Sequence, residues 1–320
     1  MTRPKTIVVT IPGMIDEKDL LPLRECSDVN YCELQSISEL DLATKCVGYD
    51  YLMLNMDVLP KIGSLKLTEA FYAQPAVRGL KTIALDMTGM DYFSPKAASA
   101  AGIQLQNIPH YSSQSVAESV LAEILLHSRQ RHLAYVDEIK GEQVQARKGI
   151  NLANRTAGIV GYGSIGSTVA RLLTALGMNV LIWNRSKKPG LNFVSLEQLF
   201  DRSDVICIAL KTVHNGAEAN VGMIDAKYLD RCKGAIVVNL ANESLVDTKA
   251  IAKTLSDGKV SAYSVEASST LRDTLSSYSN VHFAPSNAWN SDESMQALRD
   301  TWVANVLSVI SGKPQNIYRE

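Results

Sequence analysis

The stretch TAGIVGYGSIGSTVARLLTALGMNVLIWNRS, residues 156–186, decides the fold. An apolar strand-like run enters Gly161, Gly163 and Gly166, and a helical pattern and a second apolar run follow. The three glycines serve different needs, namely a tight turn, close approach of a pyrophosphate to backbone N–H groups, and close packing of helix on strand. A bare glycine triplet would fit an ordinary strand-to-helix turn equally well, but the elements on both sides favour dinucleotide binding. Gly161, Gly163, Ser164, Ile165 and Gly166 are the expected pyrophosphate contacts. The second run ends at Asn184, where NAD-binding proteins carry an acid for the ribose 2′-OH. Here the text is NRSKK. Asn184, Arg185, Ser186 and Lys187 or Lys188 offer donors to a 2′-phosphate, so NADP(H) is expected over NAD(H). A solvated charge cluster is the plainer reading of the same residues.

Downstream the alternation continues through DVICIAL, GAIVVNL, VSAYSV and VHFAP, with helical stretches such as TKAIAKTLSDG between, the outline of a doubly wound domain. Upstream, KTIVVTI, VNYCELQSI, YDYLMLNM, LKTIALDM and GIQLQNI alternate with amphipathic segments, the pattern of a second parallel sheet. The fold class is therefore α/β, with two Rossmann-like parallel-sheet domains. Between them SSQSVAESVLAEILLHSRQRHLAYVDEI reads as one long helix, with Ser115 and Glu118 as its capping box. The last segment places Met295, Leu298, Trp302, Val306 and Ile310 on one helical face, which needs a surface to cover; the N-terminal domain supplies it.

The chain has 320 residues, beyond the usual limit of one core. Thirty-two basic and 33 acidic residues give a net charge of −1, with no cationic run able to track phosphates, which argues against nucleic acid. No apolar run is long enough to span a bilayer, and the N-terminal IVV is too short for a signal core. Five cysteines without metal-ligand spacing fit buried thiols in a reducing cytoplasm. No metal site is expected.

These segments, in this order, resemble the D-isomer-specific 2-hydroxyacid dehydrogenases over nearly the whole chain. The matching text is LKTIALDMTGMDYF, AAGIQLQNIPHYSSQSVAESVLAEILLHSR, GIVGYGSIG, VVNLANESLVDTKAIAKTLSDGKVSAY and NVHFAPSNAW. The resemblance implies a substrate domain from both chain ends (1–106 and 292–320), an NAD(P)-binding domain inserted in it (107–291), and a homodimer built on the helix after Pro109. It also implies cofactor contacts from Leu210, Leu240 and Ala241, and places Glu266 against the nicotinamide carboxamide.

The family works with an Arg, a Glu and a His. Its pattern Asn-x-Ala-Arg-Gly is here Asn239-Leu240-Ala241-Asn242-Glu243, so the Arg position falls on Asn242. By the same register the Glu falls on Leu271, and the His after Pro falls on Ser286. A general acid contributes about 10²- to 10⁴-fold and an oxyanion donor about 10²- to 10³-fold, so reduction of an ordinary 2-keto acid is not expected. Two functions fit: hydride transfer to a small-molecule carbonyl, imine or conjugated substrate in a rebuilt site, or an inactive NADP(H)-binding sensor or scaffold. Neutral Asn242 and Ser286 stand in for the lost groups. His110 and Tyr111 border the family's cleft and offer a proton, though His110 also fits a backbone hydrogen bond at a helix entry. Thr88 and Gly89 sit where the family binds a substrate carboxylate, or in a plain turn.

Overall fold

The computed structural model describes residues 3–62, 65–143, 147–186, 190–191, 193–214 and 216–318, without the side chains of Asp91 and His132. The chain divides into two compact units, Met1–Tyr111 with Ser291–Glu320, and Ser112–Asn290.

The first unit holds β1 (Lys5–Thr10), β2 (Asp28–Glu33), β3 (Tyr51–Leu54), β4 (Thr82–Leu85) and β5 (Gln104–Gln106), all parallel, in the order β2-β1-β3-β4-β5. YLML and TIAL are buried along their whole length, as strands covered on both faces must be. The C-terminal helix Asp292–Ile310 covers one face, packing Leu298, Trp302 and Val306 on Val8, Met53 and Ala84. Its indole is buried but satisfied, because Trp302 Nε1 donates to Ala84 O at 2.8 Å.

The second unit holds β6 (Thr156–Val160), β7 (Asn179–Trp183), β8 (Val205–Ile208), β9 (Ala235–Asn239), β10 (Val260–Val265) and β11 (Val281–Phe283). All pair in parallel in the order β11-β10-β9-β8-β6-β7. The order in which successive strands are added reverses between β6 and β8, so the ligand crevice of this architecture opens beyond the carboxyl ends of those strands. Both parallel-sheet units are Rossmann-like α/β, as the sequence leads one to expect.

The helix after Pro109 differs from expectation at both ends. It spans Ser113–Ser128 with Ser112 as N-cap, and the Ser112 carbonyl already accepts from Val116 N, so Ser115 lies inside the helix. The Ser115–Glu118 capping box therefore does not form; Glu118 Oε1 instead accepts from Gln114 Nε2 at 2.6 Å. Nor is the helix continuous. Gln130 takes a left-handed backbone (φ 49°), which breaks the hydrogen-bond ladder, and a second helix runs Arg131–Ile139. No helix among the described residues is long and apolar enough to cross a membrane.

Candidate functional site

β6 delivers the chain into the glycine turn, where the three glycines are required for three different reasons. Gly161 has φ 100°, and a Cβ there would sit 2.6 Å from Ala209 O. A Cβ on Gly166 would collide with the Gly161 carbonyl oxygen, so helix and turn pack at backbone contact. Gly163, the N-cap of the helix Ser164–Ala175, faces open space with nothing within 4 Å of a Cβ. The helix lacks a side-chain cap, leaving the amides of Ser164, Ile165 and Gly166 to an incoming anion. A pyrophosphate fits this turn: the positive helix end faces the one glycine whose missing side chain leaves room for a ligand.

The turn is braced from β7. Asn184 Oδ1 accepts from Tyr162 N at 3.0 Å, and its Nδ2 donates to Ser186 O at 2.7 Å. Its carboxamide oxygen is thus engaged within the protein. Beside it, Arg185 Nη1 pairs with Glu218 Oε2 at 2.7 Å. A cavity of about 540 Å³ joins these groups, lined by Gly161, Gly163, Asn184, Arg185, Ser186 and Leu210 together with residues of the 211–223 segment. Lys187 and Lys188 lie outside the described residues.

On the other half of the sheet, β9, β10 and β11 end at the remaining polar groups. Asn242 is the N-cap of the turn Glu243–Leu245: its Oδ1 accepts from Ser244 N at 2.9 Å and Ser244 Oγ at 2.7 Å. Asn239 holds the same turn, accepting from Ala241 N and Asn242 N, each at 3.3 Å, and donating to Asn242 O at 2.8 Å. Leu240 is buried and Ala241 exposed. Leu271 lies on the helix Ser269–Leu275 and is buried in the core that also holds Val265 and Leu275. Ser286 Oγ donates to Glu266 Oε2 at 2.9 Å. Half-buried Glu266 is pushed above the ordinary carboxylate range by burial, with the Ser286 hydrogen bond pulling the other way. The structure therefore brings Glu266 and Ser286 together and turns the Asn242 side chain toward Ser244.

The remaining expected site residues lie in the first unit. Thr88 Oγ1 donates to Ile108 O at 2.8 Å and Asn107 Nδ2 to Thr88 O at 2.7 Å, joining the Thr88–Gly89 turn to the segment carrying His110. His110 is exposed with φ 65°, and Tyr111 packs, partly buried, against the core cluster that includes Ile108 and Trp302.

Two arrangements have no motif in the sequence. One is the Arg185–Glu218 pair. The other is a buried cluster in which Glu123 Oε2 accepts from Ser264 Oγ at 2.5 Å and lies 2.7 Å from His282 Nδ1, with His127 Nε2 2.7 Å from Ser264 Oγ. Only the helical spacing of Glu123 and His127, four residues apart, hinted at a shared face. Among the described residues no group of His, Cys, Asp or Glu side chains is arranged to hold a metal ion.

Residues 121–285 match the family described as D-isomer specific 2-hydroxyacid dehydrogenase, NAD binding domain. A glycerate dehydrogenase from Methylorubrum extorquens is 32% identical over 253 residues, covering 74% of this chain and 78% of its own. A hydroxypyruvate reductase from Blautia hydrogenotrophica is 27% identical over 323 residues, covering 96% and 95%. Among solved structures, an acyclic imino acid reductase in complex with NADPH and D-Arg is similar with a TM-score of 0.82. It covers 98% of this chain and 100% of its own at 22% identity, a likeness of fold.

Proposed function

The chain belongs to the D-isomer specific 2-hydroxyacid dehydrogenase family, and from that premise we propose that it is an NADP(H)-dependent oxidoreductase with a rebuilt active site. Its substrate is a small-molecule carbonyl, imine or conjugated compound other than a simple 2-keto acid. One observation carries the reading: the positions the resemblance assigns to Arg, Glu and His hold a turn-capping Asn242, a core Leu271 and a hydroxyl, Ser286. None of these three side chains carries a charge at neutral pH, so they supply neither a cationic carboxylate clamp nor an imidazole acid.

Bound nicotinamide would supply or accept a hydride; the chain's own residues hold the cofactor and position the substrate. The amides of Ser164, Ile165 and Gly166 take the pyrophosphate. Asn184 has no carboxylate for a ribose 2′-OH and its amide oxygen is taken by Tyr162 N, while Arg185 and Ser186 suit a 2′-phosphate. Ser286, whose one hydroxyl proton goes to Glu266 in the free protein, would turn that proton from the carboxylate to a developing oxyanion or an imine nitrogen. An iminium already carries its positive charge, so a weak donor suffices and the lost acid is not needed in the same way. The similar fold of an acyclic imino acid reductase in complex with NADPH supports this reading.

We also propose a homodimer. Leu125, Tyr135, Val136 and Ile139 are exposed along the two helices after Pro109, with Ile139 85% exposed, an apolar face that a two-fold partner would cover.

The combined replacement Asn242→Arg, Leu271→Glu and Ser286→His tests the site reading. It should raise reduction of glyoxylate or pyruvate above the unmodified protein, and fast turnover of either acid without those changes would contradict it.

A further inference from the structure

We propose that Glu218 sets how strongly this protein distinguishes NADP(H) from NAD(H), by holding Arg185 in an ion pair that a 2′-phosphate must displace. The inference deepens the cofactor reading above and rests on it.

Arg185 and Glu218, which pair with each other, both line the glycine-turn cavity. Glu218 is not on a loose strand of chain. Asn220 closes the base of its loop: its Oδ1 accepts from Val213 N at 2.7 Å, its Nδ2 donates to Lys211 O at 2.8 Å, and its own N donates to Val213 O at 2.9 Å. Farther on, Gly222 N donates to Ser244 O at 2.7 Å, tying the segment to the turn after β9. The carboxylate is thereby presented to Arg185 from a loop with a fixed base.

The two side chains are 62% and 63% exposed, so the pair itself is weak and exchangeable. A phosphate dianion takes a guanidinium with two parallel hydrogen bonds and outcompetes a single carboxylate contact. The displaced Glu218 then remains beside that dianion, and like charges at such range repel. NAD(H), with a neutral 2′-hydroxyl, leaves the pair undisturbed. Glu218 therefore penalises one cofactor and not the other. Arg185 reads the phosphate, and Glu218 fixes how much of that reading survives.

The test uses adenosine fragments, which keep the rest of the site out of the measurement. Calorimetric titration of the full chain with 2′,5′-ADP and with 5′-AMP compares ligands that differ only in the 2′-phosphate. Glu218→Gln should tighten 2′,5′-ADP about three- to tenfold while leaving 5′-AMP within about twofold, and the gain should shrink as salt is raised. Glu218→Asp, which keeps the charge, should stay near the unmodified protein. An unchanged ratio in Glu218→Gln overturns the proposal. So does a selective loss of 5′-AMP affinity, which would make Glu218 an acceptor for the ribose. Equal binding of both fragments by the unmodified protein would instead overturn the NADP(H) reading, and the response of the ratio to Glu218→Gln would still decide this one.

Discussion

Ser286 Oγ donates to Glu266 Oε2 at 2.9 Å, tying the chain beyond β11 to the end of β10. The bond lowers the affinity of the Glu266 carboxyl for its proton, while burial, the larger influence, raises it. Ser286→Ala removes the opposing contribution. The Glu266 titration, followed by carboxyl carbon NMR with Glu266→Gln to assign the signal, should then move upward. A titration that stays in place would mean that Ser286 does not hold the carboxylate in solution.

The Glu123–His282 contact predicts a pH-dependent stability. The hydrogen bond that His282 donates to Glu123 raises the His282 pKa above its ordinary value, with burial opposing. That contribution is complete below about pH 6.5 and disappears as pH rises through the folded-state value. For Glu123 burial acts upward, but the hydrogen bonds from His282 and Ser264 outweigh it and hold the group below the ordinary carboxylate range. Its contribution is present above about pH 4.5 and is lost as pH falls through the lower folded value. Both are complete between those limits. His282→Gln should cost about 1 kcal/mol near pH 5.5, and less near pH 8.5, in urea unfolding; the figure is kept low because the imidazole is 35% exposed. An equal cost at both pH values would show that the charge on His282 plays no part.

The glycines separate folding from binding. Gly163→Ala adds a methyl group to open space at φ −84° and should leave the melting temperature within about a degree while weakening NADP⁺ at least tenfold. Gly166→Ala drives the same methyl into the Gly161 carbonyl and should cost about 1–3 kcal/mol of stability. If Gly163→Ala bound NADP⁺ normally, the pyrophosphate would not sit at this helix end.

The groups at the end of β7 lead to a prediction about cofactor choice. A charge-assisted hydrogen bond to a 2′-phosphate contributes about 1.5–3 kcal/mol, so NADPH should bind at least tenfold tighter than NADH, and Arg185→Ala should remove much of that difference. Equal affinities by calorimetry would return the cluster to an ordinary solvated surface.

Light scattering should give twice the chain's 34.9 kDa, and Ile139→Asp should shift the mass toward one chain. A concentration-independent mass of one chain in the unmodified protein would contradict the dimer.

What the sequence made legible was local. YLML, TIAL and the glycine turn carry their structure in adjacent residues: continuous burial, a left-handed backbone at Gly161, a helix end at Gly163. What it hid depends on chain segments meeting across the fold. Glu218 reaches Arg185 only because the 211–223 segment and the end of β7 share one cavity, and Glu123 meets Ser264 and His282 only once a helix lies against β10 and β11. The spacing that puts Asn242 at the Arg position is plain in the text, yet its use as a turn cap emerges only with Ser244 placed beside it. The break at Gln130 had no glycine or proline to announce it.

A working hydride-transfer site that has given up simple 2-keto acids can be tested directly by following label transfer, by mass spectrometry, from NADPH stereospecifically deuterated at the nicotinamide C4. The panel holds pyruvate, glyoxylate, larger carbonyl compounds, enones and imines. Deuterium is expected in the product of an imine, enone or larger carbonyl, with the two simple acids at background. Rapid label transfer to pyruvate or glyoxylate would contradict the rebuilt site, and no transfer to any compound despite tight NADPH binding would contradict the enzyme itself, leaving a cofactor-binding sensor or scaffold.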